Sequence, residues 1–193
     1  MSPGKKPRPT WQEIPARELH GREKLAFALR CFGVDVAGRT ALDLGAAAGG
    51  FTTALLDAGA ARVYAVDVGF GQLLGSLRQD ERVVNLERTN LADARIDVVV
   101  GIITMDLSYL SIAAAVPQVK VDLAPGTDLV ALVKPVFELQ LSGLPAEPFG
   151  PLVEAIITAG RGVAAAGWTV LAAAGSPVRG HNGAVEGFLH ARR

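Results

Sequence analysis

The sequence predicts an α/β fold, an open and mostly parallel sheet covered by helices on both faces. Three observations carry that expectation. Strand-length apolar runs alternate with stretches of helical spacing along most of the chain. Most of these runs are near-continuous, as in strands buried on both faces. The first breaks into a glycine- and alanine-rich junction, TALDLGAAAGGFTTALL (residues 40–56), then resumes with helical spacing, as a strand-to-helix turn does. A chain of 193 residues suits one compact domain with a sizeable core. Half the residues are hydrophobic and the 19 basic residues balance 19 acidic ones, which argues against disorder and against a wholly basic nucleic-acid binder.

Residues 1–20 are polar and proline-rich and read as a mobile basic arm carrying Lys5, Lys6, Arg8 and Arg17, with residues 21–193 as the folded domain. No apolar segment follows the lysines, so neither a signal peptide nor a membrane span is expected. REKLAFALRCFG places Leu25, Ala28, Leu29 and Phe32 on one helical face and stops at Gly33. Cys31, the single cysteine, is expected to be a buried thiol beside Leu29 and Phe32, and a reducing cytoplasm fits. TALDL, RVYAVD, RVVNLE, VVVGIITMD, TDLVALV and WTVLAAA read as strands. FTTALLDAG, GQLLGSLRQ, SIAAAVPQVKV and PLVEAIITAGRGVAAAG read as the helices between them.

In such folds ligands sit outside the carboxyl ends of the strands, where strand order reverses. Asp43 ends the first apolar strand. Gly45 and the pair Gly49-Gly50 let the backbone turn tightly and approach a ligand, and Phe51 begins a helix with unpaired N–H groups at its amino end. Asp67 ends the second strand, twenty-four positions beyond Asp43, where a carboxylate can accept hydrogen bonds from ribose hydroxyls. Acids at two adjacent strand ends point to a dinucleotide or an adenosyl group. The turn D-L-G-A-A-A-G-G-F lacks the G-x-G-x-x-G spacing and its pyrophosphate-admitting middle glycine, which favours the adenosyl group.

That spacing resembles the first motif of S-adenosylmethionine-dependent methyltransferases, in the version used by FtsJ-like RNA ribose methyltransferases. The stretch LDLGAAAGGFTTALLDAGAARVYAVDVGFGQLLGSLRQDERVVNLERTN, with DLSYLS and LVALVKPVFE, is similar to the TlyA family of hemolysin-named ribosomal RNA 2′-O-methyltransferases. The resemblance implies a Rossmann-like methyltransferase fold with a seven-stranded sheet, S-adenosylmethionine as cofactor, and ribosomal RNA or a ribosomal subunit as partner. It also implies a Lys-Asp-Lys-Glu catalytic tetrad at Lys24, Asp106, Lys134 and Glu186, with Lys134 as base, Asp106 and Lys24 tuning its proton affinity, and Glu186 orienting Lys24 or the ribose. Cofactor contacts are expected at Asp43, Gly45, Ala46, Gly49, Gly50, Phe51, Asp67, Asn90 and Asp106. Ser108, Tyr109 and Ser111 are candidates for the substrate entrance. His20, His181 and His190 show no metal-ligand spacing, and no metal is expected.

The sequence departs from the family around the substrate. The resemblance implies an amino-terminal S4 RNA-binding domain, in whose place only the short arm is expected, and ELQLSGLPAEPFGP stands where a longer glycine-rich segment is usual. Gly183-Ala184-Val185-Glu186 keeps the acid of G-N-x-E without its asparagine, and His20-Gly21-Arg22-Glu23 replaces S-R-G-G. Two alternatives follow: a methyltransferase redirected to another RNA or to a small hydroxylated molecule, and a non-catalytic cofactor-binding scaffold. A membrane-lysing protein finds no support, since no strongly amphipathic or spanning segment is visible.

Overall fold

The computed structural model describes residues 20–193, so the arm expected at the amino terminus lies, except for His20, outside the described residues. The chain opens with α1 (His20–Phe32), then β1 (Thr40–Leu44), α2 (Gly50–Asp57), β2 (Arg62–Val66), α3 (Gly75–Arg78) and β3 (Val83–Leu86). It returns through β4 (Val100–Met105), α4 (Ile112–Ala115), β5 (Leu123–Val133), α5 (Pro135–Glu138), α6 (Phe149–Ala165), β6 (Thr169–Gly175) and β7 (Gly187–Arg192). The strands form one seven-stranded sheet in the order β3-β2-β1-β4-β5-β7-β6. All pairings are parallel except those of β7, which runs antiparallel to both β5 and β6.

Strand order reverses between β1 and β4, and this crevice organises the functional edge. Two apolar layers bury the sheet: Leu25, Phe51, Leu55 and Phe188 on the α1–α2 face, and Ile103, Met105, Ala155 and Val163 on the α4–α6 face. Burial of such side chains, at roughly 1.5–3 kcal/mol each, is the main force holding helices to sheet.

Several elements differ from the sequence reading. Cys31 is exposed, not buried. Helical geometry turns it about 200° from Leu29, away from the stripe of Leu25, Ala28 and Leu29 that meets the sheet. The helix expected in GQLLGSLRQ shrinks to the single turn α3. The SIAAAVPQVKV helix ends after one α-turn and a 3₁₀ turn, Val116–Gln118, since Pro117 brings no N–H to continue it. Strand β6 lies at the edge of the sheet with Val170 and Leu171 exposed. The seventh strand, β7, falls in GFLHAR, where a histidine and an arginine mask an otherwise buried run.

Candidate active site

The junction after β1 is built from left-handed backbone. Gly45, Ala47 and Gly49 have φ of 86°, 45° and 97°. For Ala47 that conformation is costly, and Asp67 holds it in place. One Asp67 oxygen accepts the Ala47 N–H at 2.8 Å, while the other accepts the Gly69 N–H at 2.6 Å. The Asp67 carboxylate thus clamps the turns after β1 and β2 together and keeps free lone pairs on both oxygens.

The glycines do separate jobs. A Cβ on Gly45 would collide with the backbone carbonyl of Asp106, so this glycine lets the ends of β1 and β4 approach. A Cβ on Gly50 would lie 2.9 Å from the Gly21 Cα, so the amino ends of α1 and α2 meet backbone to backbone. A Cβ on Gly49 would fall onto Leu77 and Leu73, which makes this glycine a packing and helix-start residue. Gly21, Gly45, Ala46, Gly50, Phe51 and Asp106 border a recess of about 130 Å³. Gly21 was not among the sequence candidates; its signal was the small residue one turn before Lys24.

Asp43 is fully buried within β1. It accepts hydrogen bonds from Thr52 at 2.7 Å and Thr104 at 2.9 Å, fastening α2 and β4 to the first strand. Burial pushes its pKa up to about 6 against the lowering effect of those hydroxyls. It borders none of the recesses described here, so its place is beneath the cradle. Asn90 is exposed and also lies outside them, whereas its neighbours Thr89 and Leu91 join Asp67 and Tyr109 around a small cleft.

The four charged residues proposed from the sequence form two ion pairs. Lys24 Nζ lies 2.6 Å from Glu186 Oε2, with both side chains almost wholly buried. Lys134 Nζ lies 2.6 Å from Asp106 Oδ1, with side-chain exposures of 15% and 27%. That oxygen is shut off from solvent yet accepts no well-angled hydrogen bond. The well-angled bond of Lys134 goes to Ser108 Oγ, at 2.9 Å. Lys24, Ser108, Lys134 and Glu186 share the wall of a cavity of about 800 Å³, and Asp106 borders the glycine recess beside it. Leu144, Pro145 and Pro148 of the rebuilt loop, together with Arg179 and His181, complete the cavity.

Each position has a local cause. Lys24 sits on the inward stripe of α1 beside Leu25, one turn after the Gly21–Gly50 contact. Asp106 follows β4, its N–H bonded to the Leu44 carbonyl. Lys134 follows β5 just before Pro135, which starts α5. Glu138, at the end of that turn, accepts the Ile112 N–H and ties the loop after β4 to the loop after β5. Burial raises its pKa, and its second oxygen has no partner. Glu186 precedes β7, which the antiparallel pairing carries back between β5 and β6. His190 points to the opposite edge of the sheet, and His20 is exposed.

A glycine cradle at the switch point, an acid at the end of β2 and a basic–acidic cluster beside a deep cavity define a class, the Rossmann-like methyltransferases. Residues 20–147 match the FtsJ-like methyltransferase family, and the chain belongs to it. It is 42% identical over 179 residues to the 16S/23S rRNA (cytidine-2′-O)-methyltransferase TlyA of Mycobacterium tuberculosis, covering 89% of this chain and 67% of that one. The chain thus spans about two thirds of that relative's length. A hemolysin-named protein from Lactococcus lactis has a similar structure, at a TM-score of 0.83 and 31% identity, covering 90% of this chain and 86% of the other. Geranyl diphosphate methyltransferase shares the fold alone, at a TM-score of 0.63 and 15% identity, covering 88% of this chain and 84% of the other. Among the described residues, no helix is long and apolar enough to cross a membrane.

Proposed function

We propose that the protein is an S-adenosylmethionine-dependent methyltransferase acting on the 2′-hydroxyl of a ribose in ribosomal RNA. The observation that carries this reading is the meeting of two lysine–carboxylate pairs, Lys24–Glu186 and Lys134–Asp106, where the glycine recess adjoins the large cavity. Membership of the FtsJ-like family and similarity to TlyA support the same reaction and the same class of substrate.

The residues fit the cofactor. Gly21, Gly45 and Gly50 border the recess and let its backbone walls close on one another, and Asp67 keeps lone pairs for two ribose hydroxyls beyond its two backbone bonds. When bound there, S-adenosylmethionine supplies an electrophilic methyl group on a sulfonium. The protein's task is to prepare the attacking oxygen, because a neutral hydroxyl is a weak nucleophile. Lys134 takes the hydroxyl proton at Nζ. Asp106 holds Lys134 at the boundary between recess and cavity. Lys24, fixed by Glu186, adds a positive charge to the same wall, where it stabilises negative charge developing on the ribose oxygen.

The test is incubation with methyl-labelled S-adenosylmethionine and, separately, ribosomal subunits, free ribosomal RNA, transfer RNA and a small-molecule extract. Label is expected in ribosomal RNA, in a nucleotide resistant to alkaline cleavage on its 3′ side. Lys134→Ala should lower incorporation by about 10²–10⁴-fold, the contribution of a positioned base, while cofactor affinity by calorimetry stays within about twofold. Lys134→Arg should not restore transfer, since guanidinium holds its proton. Label confined to small molecules overturns the substrate class, and tight cofactor binding without transfer to any fraction overturns the enzyme reading.

A further inference from the structure

We propose that Ser108 is a positioning residue for the transfer, aiming the Lys134 amine at the substrate hydroxyl; this rests on Lys134 acting as the base. An amine that is to accept a proton carries two N–H bonds and one lone pair around the Cε–Nζ axis, and it is useful only when the lone pair faces the substrate. Charge attraction alone does not set that rotation. Asp106 Oδ1 lies 2.6 Å from Nζ but off the hydrogen-bonding angle, so it holds the amine near without orienting it. Ser108 Oγ, at 2.9 Å, meets the angle and fixes one N–H. With one N–H held by Ser108 and Asp106 Oδ1 occupying a second side of Nζ, the lone pair is left the remaining side, on a side chain that lines the large cavity.

The proton balance follows from this arrangement. The ribose O–H bond breaks, a new N–H bond forms at Nζ, and the amine becomes an ammonium. The electron pair stays on the ribose oxygen for its bond to the methyl carbon, whose bond to the sulfonium of a bound cofactor would break, with that pair going to sulfur and a neutral thioether leaving. Ser108 is exposed as well as bonded to Lys134, so its hydroxyl can take a proton from the ammonium while releasing its own to water. The segment that follows it is braced, because Ser111 caps α4 and Glu138 accepts the Ile112 N–H, pinning the amino end of that short helix to α5.

The full chain is assayed as Ser108→Ala, Ser108→Thr and Lys134→Ala, with total ribosomal RNA as acceptor and labelled S-adenosylmethionine as donor. Crystal structures of the wild type and of Ser108→Ala accompany the kinetics. Ser108→Ala is expected to lower kcat about tenfold, with KM for RNA and cofactor affinity unchanged, and Ser108→Thr to restore kcat by returning the acceptor oxygen. In the Ser108→Ala crystal, Nζ should leave its wild-type position or spread over several. The proposal is overturned by wild-type kcat in Ser108→Ala, by failure of Ser108→Thr to restore kcat, or by an unmoved Nζ in the Ser108→Ala crystal. Full activity in Lys134→Ala removes the base assignment instead. An inactive Lys134→Ala beside an unaffected Ser108→Ala removes Ser108 alone.

Discussion

The two edges of the sheet use the same residue types to opposite ends. At the amino edge, Asp128, where β5 resumes regular pairing with β4 after a break in register, is a saturated hub. It accepts from Arg39 at 2.7 Å, from Arg192 at 2.9 Å, and is bonded to His190 at 2.8 Å. Arg39 also reaches the carbonyls of Asp35, Gly101 and Gly126. Burial pushes the Asp128 pKa up, but these partners outweigh it and hold it below the usual carboxylate range. At the carboxyl edge, each lysine faces one carboxylate, Asp106 keeps an oxygen without a well-angled partner, and both lysines open onto a cavity. A buried charge whose bonds are complete braces the fold, and one with capacity left over is available for chemistry.

Removing the hub should therefore cost stability and leave the site's chemistry intact. Asp128→Asn breaks ion pairs to two arginines that retain solvent contact, with side-chain exposures of 24% for Arg39 and 48% for Arg192. The expected loss is about 3 kcal/mol, the low end for a disrupted buried pair. In a domain of this size that corresponds to a fall in Tm of about 6–12 °C, measured by calorimetry. Cofactor affinity at a temperature where the variant is folded should match the wild type. An unchanged Tm breaks the comparison, because Asp128 would then be no more of a brace than a surface acid.

How legible this contrast was in the sequence differs by region. The alternation of apolar runs led directly to the open sheet, since burial on both faces leaves a contiguous signature. Asp106 and Lys134 stood out because a charge at the mouth of an apolar strand is costly without a partner, and the structure pairs them with each other. Asp43 carried the same signal and proved to lie beneath the cradle, its oxygens taken by Thr52 and Thr104. Sequence position cannot separate a carboxylate facing a cavity from one met by hydroxyls on neighbouring elements. Gly49 follows the same logic, as its open side is filled by Leu73 and Leu77 from a later segment. Nothing local to Lys24 or Glu186 in the sequence calls for burial, and only their contact across 162 positions makes them a buried pair. Strand β7 escaped because His190 and Arg192 disguise it, and their partner Asp128 lies far away in the chain.

A smaller effect sharpens the comparison from the carboxyl edge. Gly180 has φ −77° and ψ −165°, backbone that any residue adopts, yet a Cβ there would fall onto the Glu186 carboxylate. Gly180→Ala should leave the backbone intact and push Glu186 away from Lys24. Methyl transfer should drop roughly 10–100-fold, the scale of an ångström-sized misplacement in an active site, with cofactor affinity nearly unchanged. Gly183→Ala, whose Cβ meets nothing, isolates the clash from loop chemistry, although its φ of 82° adds some strain. Equal transfer by Gly180→Ala and wild type would detach the Lys24–Glu186 pair from catalysis.

The smallest effect contrasts the two buried aspartates by the sign of their pH dependence. Asp43 has a folded-state pKa raised from 3.8 to about 6, so between those values the folded protein binds more protons than the unfolded chain. Its contribution therefore favours folding at low pH and is lost as pH rises through about 6. Asp128 has a lowered pKa, so its contribution is present above 3.8 and is lost as pH falls below that value. Of these two aspartates only Asp43 is changing over pH 5 to 6.5, and stability should decline by about 1 kcal/mol from this group. Urea unfolding at a series of pH values measures it, with Asp43→Asn as the partner experiment. Asparagine does not titrate, so the variant's stability should vary less over this window by that amount, while the loss of stability below pH 4 persists because Asp128 is untouched. A decline of the same size in Asp43→Asn would assign the proton to another group and leave the Thr52–Asp43–Thr104 brace ionised throughout the range.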